Sequence, residues 1–369
     1  MLPATGRIQP DYHTEFPRSA FVKIAHVILS RGFAGSERST IESCNAQTAA
    51  GHTVLLFVRR SHRDGNGASV LDCLDPRVKV RVVPNRLFTG RTIAKALATF
   101  TPDVVHCHLR RATRIVARIR PPAALVATLH IDFNSPVYGA MDGLICNARW
   151  QLGKIPARYS GLVFKANNSL QPHRRLEAGE IAELRRQFDS VPPAFLIGGA
   201  GRLTRKKGWD ILITAFRNAE LPPDARLWLF GSGSAENELR RLAQGDSRIR
   251  FGGWRKDLKD VYQSLDLFVC PSRFEPLPRV MLEAYDAGVP VISSDAGGCP
   301  ELVEDYGGDL FAREDVPALI TLLERHARER PPHRQVDLSA HNVENAGAEM
   351  LDFYRRAIDH RRKATPDAR

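Results

Sequence analysis

No apolar run in this chain approaches the roughly 20 residues that cross a bilayer, so no membrane-spanning helix is expected. Cysteine is sparse, six in 369 residues, and no two stand as C-x-x-C. Cys44, Cys73, Cys107, Cys146, Cys270 and Cys299 therefore read as reduced thiols, mostly in the core, and not as zinc ligands or a disulfide framework. The fingerprint G-x-G-x-x-G is missing after the first strand pattern, which argues against a dehydrogenase. Low-complexity segments and short-period repeats are absent too. Residues 1–20 carry Asp11, Glu15 and three prolines where a signal peptide would have an apolar core. They are expected to form a disordered tail on a cytoplasmic protein.

What is present suits a globular α/β protein of two domains: 43% hydrophobic and 25% charged residues over a length that favours two cores. Positive charge is unevenly placed. Residues 1–170 hold 23 Lys and Arg against 10 Asp and Glu, whereas residues 171–369 hold 30 against 31. The excess of positive charge in the first half implies an anionic partner there: a phosphorylated acceptor, a membrane surface or, less readily, nucleic acid.

Residues 21–29 read as a buried strand, 37–50 as a helix closed by Gly51, and 54–58 as the next strand, the opening of a doubly wound domain. Further on, P-D-V-V-H-C-H puts His106 and His108 on one face at the end of a strand. Two such histidines could hold a metal or form a polar cleft wall, and no third ligand has suitable spacing. Residues 110–120 follow as a short basic helix with Arg111, Arg114 and Arg118 on one face, able to meet phosphates or simply to face solvent. A second strand-and-helix series begins near residue 194, and a last helix is expected at 343–358 with a disordered tail at 359–369.

The most informative stretch is residues 271–300. Glu275 and Glu283 stand eight apart, just over two helical turns. With a helix beginning after Pro278, Glu275 lies outside its N-terminus and Glu283 inside, on one side. The free N–H groups of that helix start point the same way and attract phosphate.

This stretch resembles the sugar-nucleotide site of retaining glycosyltransferases of family four, in which paired glutamates precede A-x-x-x-G-x-P-V and a Gly-Gly turn. Elsewhere the chain is similar to the same family. The loop R-G-F-A-G-S-E-R resembles its glycine-rich loop, with Gly35 as the diphosphate contact; G-R-L-T-R-K-K-G resembles its cation motif, carried by Arg202 and Lys207. Thr128-Leu129-His130 resembles its cleft histidine, the alternative being a structural imidazole, and Gly252-Gly253-Trp254 its base pocket, the alternative being a core tryptophan. The resemblance spans about residues 22–358 and implies a GT-B fold: an acceptor-side domain at 21–170, to which helix 343–358 returns, and a sugar-nucleotide domain at 171–342.

By the same resemblance, Arg202 and Lys207 clamp the diphosphate, with backbone groups of Leu277, Pro278, Arg279 and Gly35 assisting. Glu283 takes the ribose hydroxyls, Glu275 and His130 flank the transferred sugar, and no metal or other cofactor is expected beyond the nucleotide-diphosphate-sugar donor. The family usually has glycine where this chain has Pro278, which has no N–H to offer. The basic half points to an anionic glycolipid or polysaccharide acceptor, as in lipopolysaccharide core or cell-surface glycan synthesis. Peripheral contact with the cytoplasmic face of the inner membrane is expected, with His108, Arg111, Arg114 and Arg118 on that side. Nucleic acid is not expected, since no stacking-aromatic motif is present. The alternatives are an epimerase or hydrolase of the same fold and a non-catalytic basic binding protein.

Overall fold

A computed structural model describes residues 21–31, 35–63, 67, 69–130, 133–188 and 194–364. The expected tail at 1–20, Ala34 of the glycine-rich loop and residues 365–369 lie outside the described residues. The first domain runs β1 (Lys23–Ile28), α1 (Gly35–Ala49), β2 (Thr53–Arg59), β3 (Lys79–Val83), α2 (Thr89–Phe100), β4 (Val104–His108), α3 (Leu109–Ile119), β5 (Ala124–Leu129), α4 (Ser135–Tyr138), β6 (Gly143–Cys146), α5 (Arg149–Leu152) and β7 (Leu162–Lys165). The second runs α6 (Ala178–Gln187), β8 (Leu196–Ala200), α7 (Trp209–Asn218), β9 (Arg226–Phe230), α8 (Glu236–Leu242), β10 (Ile249–Gly253), α9 (Leu258–Ser264), β11 (Leu267–Cys270), α10 (Arg279–Ala287), β12 (Val291–Ser294), α11 (Cys299–Tyr306), β13 (Asp309–Phe311) and α12 (Val316–Glu329). The chain ends on α13 (Val343–Ala364).

Both sheets are parallel. Their strand orders are β3-β2-β1-β4-β5-β6-β7 and β10-β9-β8-β11-β12-β13. Central strands such as β4 and β5 are buried along their whole length, which is why neither shows an alternation of buried and exposed residues. In each sheet the order reverses beside the first strand, between β1 and β4 and between β8 and β11. Open α/β sheets bind ligands at the C-terminal ends of strands flanking such a reversal. The loops at those ends carry Gly35 and His108 in one domain, Arg202, Lys207 and Glu275 in the other.

The domains are joined twice. The backbone N–H of Leu170 donates to the carbonyl of His341 at 2.7 Å, so the outgoing and returning strands of chain pair with each other. Beyond that pairing α13 crosses back and buries Leu351, Phe353, Tyr354 and Ala357 against Val22, Ile24, Val104, Val126 and Ile145 of the first domain. Truncating Phe353 there would cost roughly 3–5 kcal/mol. The helix runs six residues past the expected end at Ile358, so the expected tail from 359 is helical as far as Ala364. Strand β13 was not anticipated, three residues being too few to show a period.

Candidate active site

The residues expected to hold a donor lie at the second reversal. The turn Arg205–Lys207 after β8 ends on Gly208, whose φ is +68° and whose Cβ, had it one, would stand 1.9 Å from the carbonyl of Pro271. This contact seats Lys207 beside the loop after β11, where its Nζ forms an ion pair with Glu275 Oε2. Ser272 Oγ donates to the same oxygen at 3.3 Å. Burial alone would lower the Lys207 ammonium's pKa; the adjacent Glu275 carboxylate more than offsets this, and the group is raised above the usual lysine range. Arg202 is exposed, and its guanidinium has no partner among the described residues. Trp209 Nε1 donates to the Arg202 carbonyl at 2.9 Å and fixes the loop that carries it. Arg273 is held by Asp210, to whose two oxygens it donates at 2.7 Å.

Pro278 is the cap residue of α10, with φ −78°, and the helix starts at Arg279 as expected. Leu277 and Pro278 are both buried. The loop ahead of them is pinned from the far side. Gly297 has φ +54°, and a Cβ there would stand 1.8 Å from the Glu275 carbonyl, so only glycine lets the turn before α11 close on Glu275. Gly298 N donates to that carbonyl at 3.1 Å, and Trp150 Nε1, from α5 of the first domain, donates to the carbonyl of Pro276 at 2.9 Å.

Ion pairs link α1 to α10, in addition to those of Arg149 with Glu304 and Asp305 and of Lys165 with Glu301 between the domains. Arg38 Nη1 of α1 lies 2.8 Å from Glu283 Oε1, while Tyr262 donates to the other oxygen of Glu283 at 3.4 Å. Arg279 Nη1 and Nη2 donate to Glu42 at 2.9 and 2.8 Å, and Nη1 also reaches Ser39 Oγ at 3.1 Å. The starts of α1 and α10 thereby meet: the Cβ position at Gly35 is 4.0 Å from Arg279 Cδ. Two helix N-termini of opposite domains converge where an anion would be stabilised by both.

The residues expected on an acceptor side lie under the first reversal. His26, His106 and His108 are buried together, with ring centroids 4.1 to 5.3 Å apart. The expectation that no third histidine joins the pair is corrected. His26 lies opposite His106 in the register of β1 and β4, a neighbour that spacing along the chain does not reveal. The three offer ring nitrogens within 4.8 Å of one another, so they are the group among the described residues able to gather round a metal ion. Both ring nitrogens of His26 and of His106 are hydrogen-bonded within the fold, as is Nε2 of His108. His26 Nε2 donates to Gln47 Oε1 at 2.8 Å, so its Nδ1 accepts from His108 Nε2 at 3.0 Å. His106 bonds Tyr354 Oη and Thr128 Oγ1, both at 2.7 Å. Burial pushes His26 down to about 4 and His106 and His108 well below the usual histidine range, so all three are neutral at pH 7. Burial likewise lowers His130 to about 4; its Nε2 is buried without a partner.

His106, His108 and His130 line an open pocket, walled also by Ser39, Glu42, Ser43, Asn147, Asn167, Asn168 and Ser169. On α3, Arg114 and Arg118 are exposed, whereas Arg111 donates to the carbonyl of Asn85. Trp254 stands at the end of β10, 61% exposed, which excludes the core-tryptophan alternative. Sequence reasoning passed over Arg38, Glu42 and Trp150. The first two lie on one face of the helix that follows the glycine-rich loop, about one and two turns from Gly35, which was the available signal; Trp150 gave none.

Residues 33–166 match the family described as Glycosyltransferase Family 4, and residues 194–328 match Glycosyl transferases group 1. Among curated relatives, the lipopolysaccharide core biosynthesis glycosyltransferase LpsE of Rhizobium meliloti (strain 1021) is 27% identical over 200 residues, 53% of this chain and 57% of that protein. The chain thus matches little more than half the length of that relative. LpsD of the same organism, a glycosyltransferase of the same description, is 26% identical over 295 residues, 78% of this chain and 82% of its own length. Among solved structures, HepE of Anabaena in complex with UDP and glucose superposes with a TM-score of 0.72 at 22% identity, covering 94% of this chain and 98% of that one. Sucrose-phosphate synthase of Thermosynechococcus elongatus gives 0.74 at 18% identity, covering 92% and 99%. At these identities the superpositions speak for the fold.

Proposed function

The chain belongs to the family-four glycosyltransferases and has their GT-B fold, and from that membership we propose that it moves a sugar from a nucleoside-diphosphate sugar to an anionic glycolipid acceptor. In this reading transfer retains anomeric configuration and needs no metal ion. The observation that carries the proposal is the meeting of two helix starts, at Gly35 and Arg279, in a cleft that also holds Lys207, Glu275 and Glu283.

Charge builds on the diphosphate as the bond to the sugar's anomeric carbon breaks. In this reading Arg202 and Lys207, with the N–H groups at the starts of α1 and α10, stabilise it, as fixed dipoles and cations do best when water is excluded. Pro278 contributes no N–H, so Arg279 N is the first that α10 offers. Lys207 gives up part of its contact with Glu275 when the donor enters, and Glu275 then orients hydroxyls of the transferred sugar. Glu283 exchanges Arg38 for the ribose hydroxyls. His130, neutral and with a free Nε2, lines the other side of the sugar. The acceptor oxygen bonds to the anomeric carbon on the face the diphosphate leaves, and its proton passes to the departing phosphate oxygen. No protein nucleophile is required.

The acceptor class draws on the basic first half and on the two Rhizobium meliloti relatives; it favours lipopolysaccharide core synthesis at the cytoplasmic face of the inner membrane. The test is release of nucleoside diphosphate from sugar nucleotides with and without purified core glycolipid. Acceptor-dependent release with a labelled, anomer-retaining product supports transfer. Turnover that ignores acceptor supports the hydrolase or epimerase reading, and donor binding without turnover supports a binding protein, to which Pro278 is the one pointer.

A further inference from the structure

Four of the nine large hydrophobic side chains exposed among the described residues fall within one short segment: Val80 and Val82 on β3, and Leu87 and Phe88 just after it. Strand β3 is the outer edge of its sheet. Leu87 is 76% and Phe88 66% exposed, and the two form a tip at the C-terminal end of β3.

The tip is built, not loose. Thr89 Oγ1 donates to the carbonyls of Pro84 and Arg86 at 2.8 and 2.9 Å, and Thr92 Oγ1 to that of Phe88 at 3.0 Å. Asn85 is held from both ends, its Oδ1 by Ser61 N and Oγ at 3.0 Å and Arg59 Nε at 3.3 Å, its carbonyl by Arg111. Phe88 itself has φ +61°, a conformation an aromatic residue adopts only when its surroundings impose it. The fold thus spends strain to hold a phenylalanine in water.

The surroundings are cationic. From Arg77 to Leu129 the chain holds eleven Lys and Arg and a single acid, Asp103. Arg59 is lowered, first by its burial and then by the neighbouring guanidiniums of Arg111, Arg31 and Arg86, which places these four charges close together beside the tip. An apolar tip ringed by arginines matches a layer of acidic headgroups over hydrocarbon, and an aqueous protein surface offers no such layering.

We infer that Leu87 and Phe88, with Arg86, Arg91 and the arginines of α3, are a docking wedge for an anionic lipid bilayer. In a parallel sheet all C-terminal strand ends share one edge, so this wedge lies on the same edge as Gly35 and His108 at the cleft. A bilayer seated on it would bring the acceptor-side cavity to the headgroup layer. The inference deepens the glycolipid reading but is tested without it, since vesicles need neither donor nor acceptor.

The test is flotation of the full chain with vesicles of pure phosphatidylcholine or of phosphatidylcholine with phosphatidylglycerol. The expected result is partition to the acidic vesicles only. It falls about tenfold in the double variant Leu87→Ser/Phe88→Ser through lost apolar burial, and about fivefold per charge in Arg86→Gln and Arg91→Gln. Nucleotide-induced thermal shifts should be the same in all variants, reporting an intact fold and donor site. Unchanged partition of Leu87→Ser/Phe88→Ser, indifference of the wild type to acidic lipid, or a wild-type dimer that this variant loses would overturn the inference, the last by making the tip a contact between copies. Vesicle binding without any nucleotide shift would leave the wedge standing and count against the transferase reading.

Discussion

Arg38 of the first domain lies 2.8 Å from Glu283 of the second, on the carboxylate assigned to the donor's ribose. A cation of one domain thus holds, across the cleft, the carboxylate proposed to take the nucleotide. Glu283 is buried and Arg38 about half exposed, so the pair is screened on one side only. Arg38→Gln should lower the stability of the free protein by about 1–2 kcal/mol, from a buried carboxylate left with Tyr262 alone. It should also tighten nucleotide binding a few-fold, read by isothermal titration, because a competitor is gone. Weaker binding in that variant would mean that Arg38 itself contacts the donor.

The Lys207–Glu275 pair predicts a different pattern. Lys207→Ala strands the buried Glu275 and should cost roughly 3 kcal/mol in chemical denaturation, while Lys207→Met/Glu275→Leu should regain most of that loss. Both proteins should fail to bind nucleotide diphosphates. If the double variant recovers affinity along with stability, the diphosphate role of Lys207 is wrong.

Pro278 removes one donor from the start of α10. Pro278→Gly restores an N–H at a site that faces the opposite helix start, and donor affinity should rise about fivefold, the worth of one hydrogen bond to a charged group after the entropy of glycine is deducted. An unchanged affinity would show that Arg279 N already serves and that the proline is neutral.

The buried histidines set the acid limit of the fold. His26 and His130 have folded pKa values near 4 against 6.5 in the unfolded chain, so the unfolded state binds more protons as pH falls. Their contribution is fully present above pH 6.5 and lost as pH drops toward 4, about 3 kcal/mol for each; His106 and His108 add in the same direction. Urea melts across pH 7.5 to 4.5 should show this decline, and nitrogen NMR should find these rings uncharged at pH 5.5. Charged rings at that pH would contradict the buried network.

The fold and the start of α10 were largely legible in the sequence. Apolar runs of four to six residues bounded by turn signals located most of the strands, and Pro278 marked the start of α10. What could not be read was pairing between distant segments. Arg38–Glu283 and Arg279–Glu42 join residues more than 230 positions apart, and His26 meets His106 only through the order of the strands. Spacing rules address neighbours within an element; these contacts arise from how two domains and two strands are set against each other. The arginines of α3 were noticed for their charge, but the Leu87–Phe88 tip was not, because exposure of an apolar pair has no signature in a sequence pattern.

The central claim is that this cleft binds a nucleoside-diphosphate sugar through Arg202, Lys207 and Glu283 without a metal. Its most direct test is the thermal shift of the full chain with UDP, GDP and ADP and their sugars, each with and without EDTA, beside Glu283→Gln. The account predicts that one nucleotide series at one hundred times its dissociation constant stabilises the wild type by about 2.7 kcal/mol, that EDTA changes nothing, and that Glu283→Gln loses most of the shift. No shift with any nucleotide, a shift that EDTA abolishes, or full affinity in Glu283→Gln would contradict it.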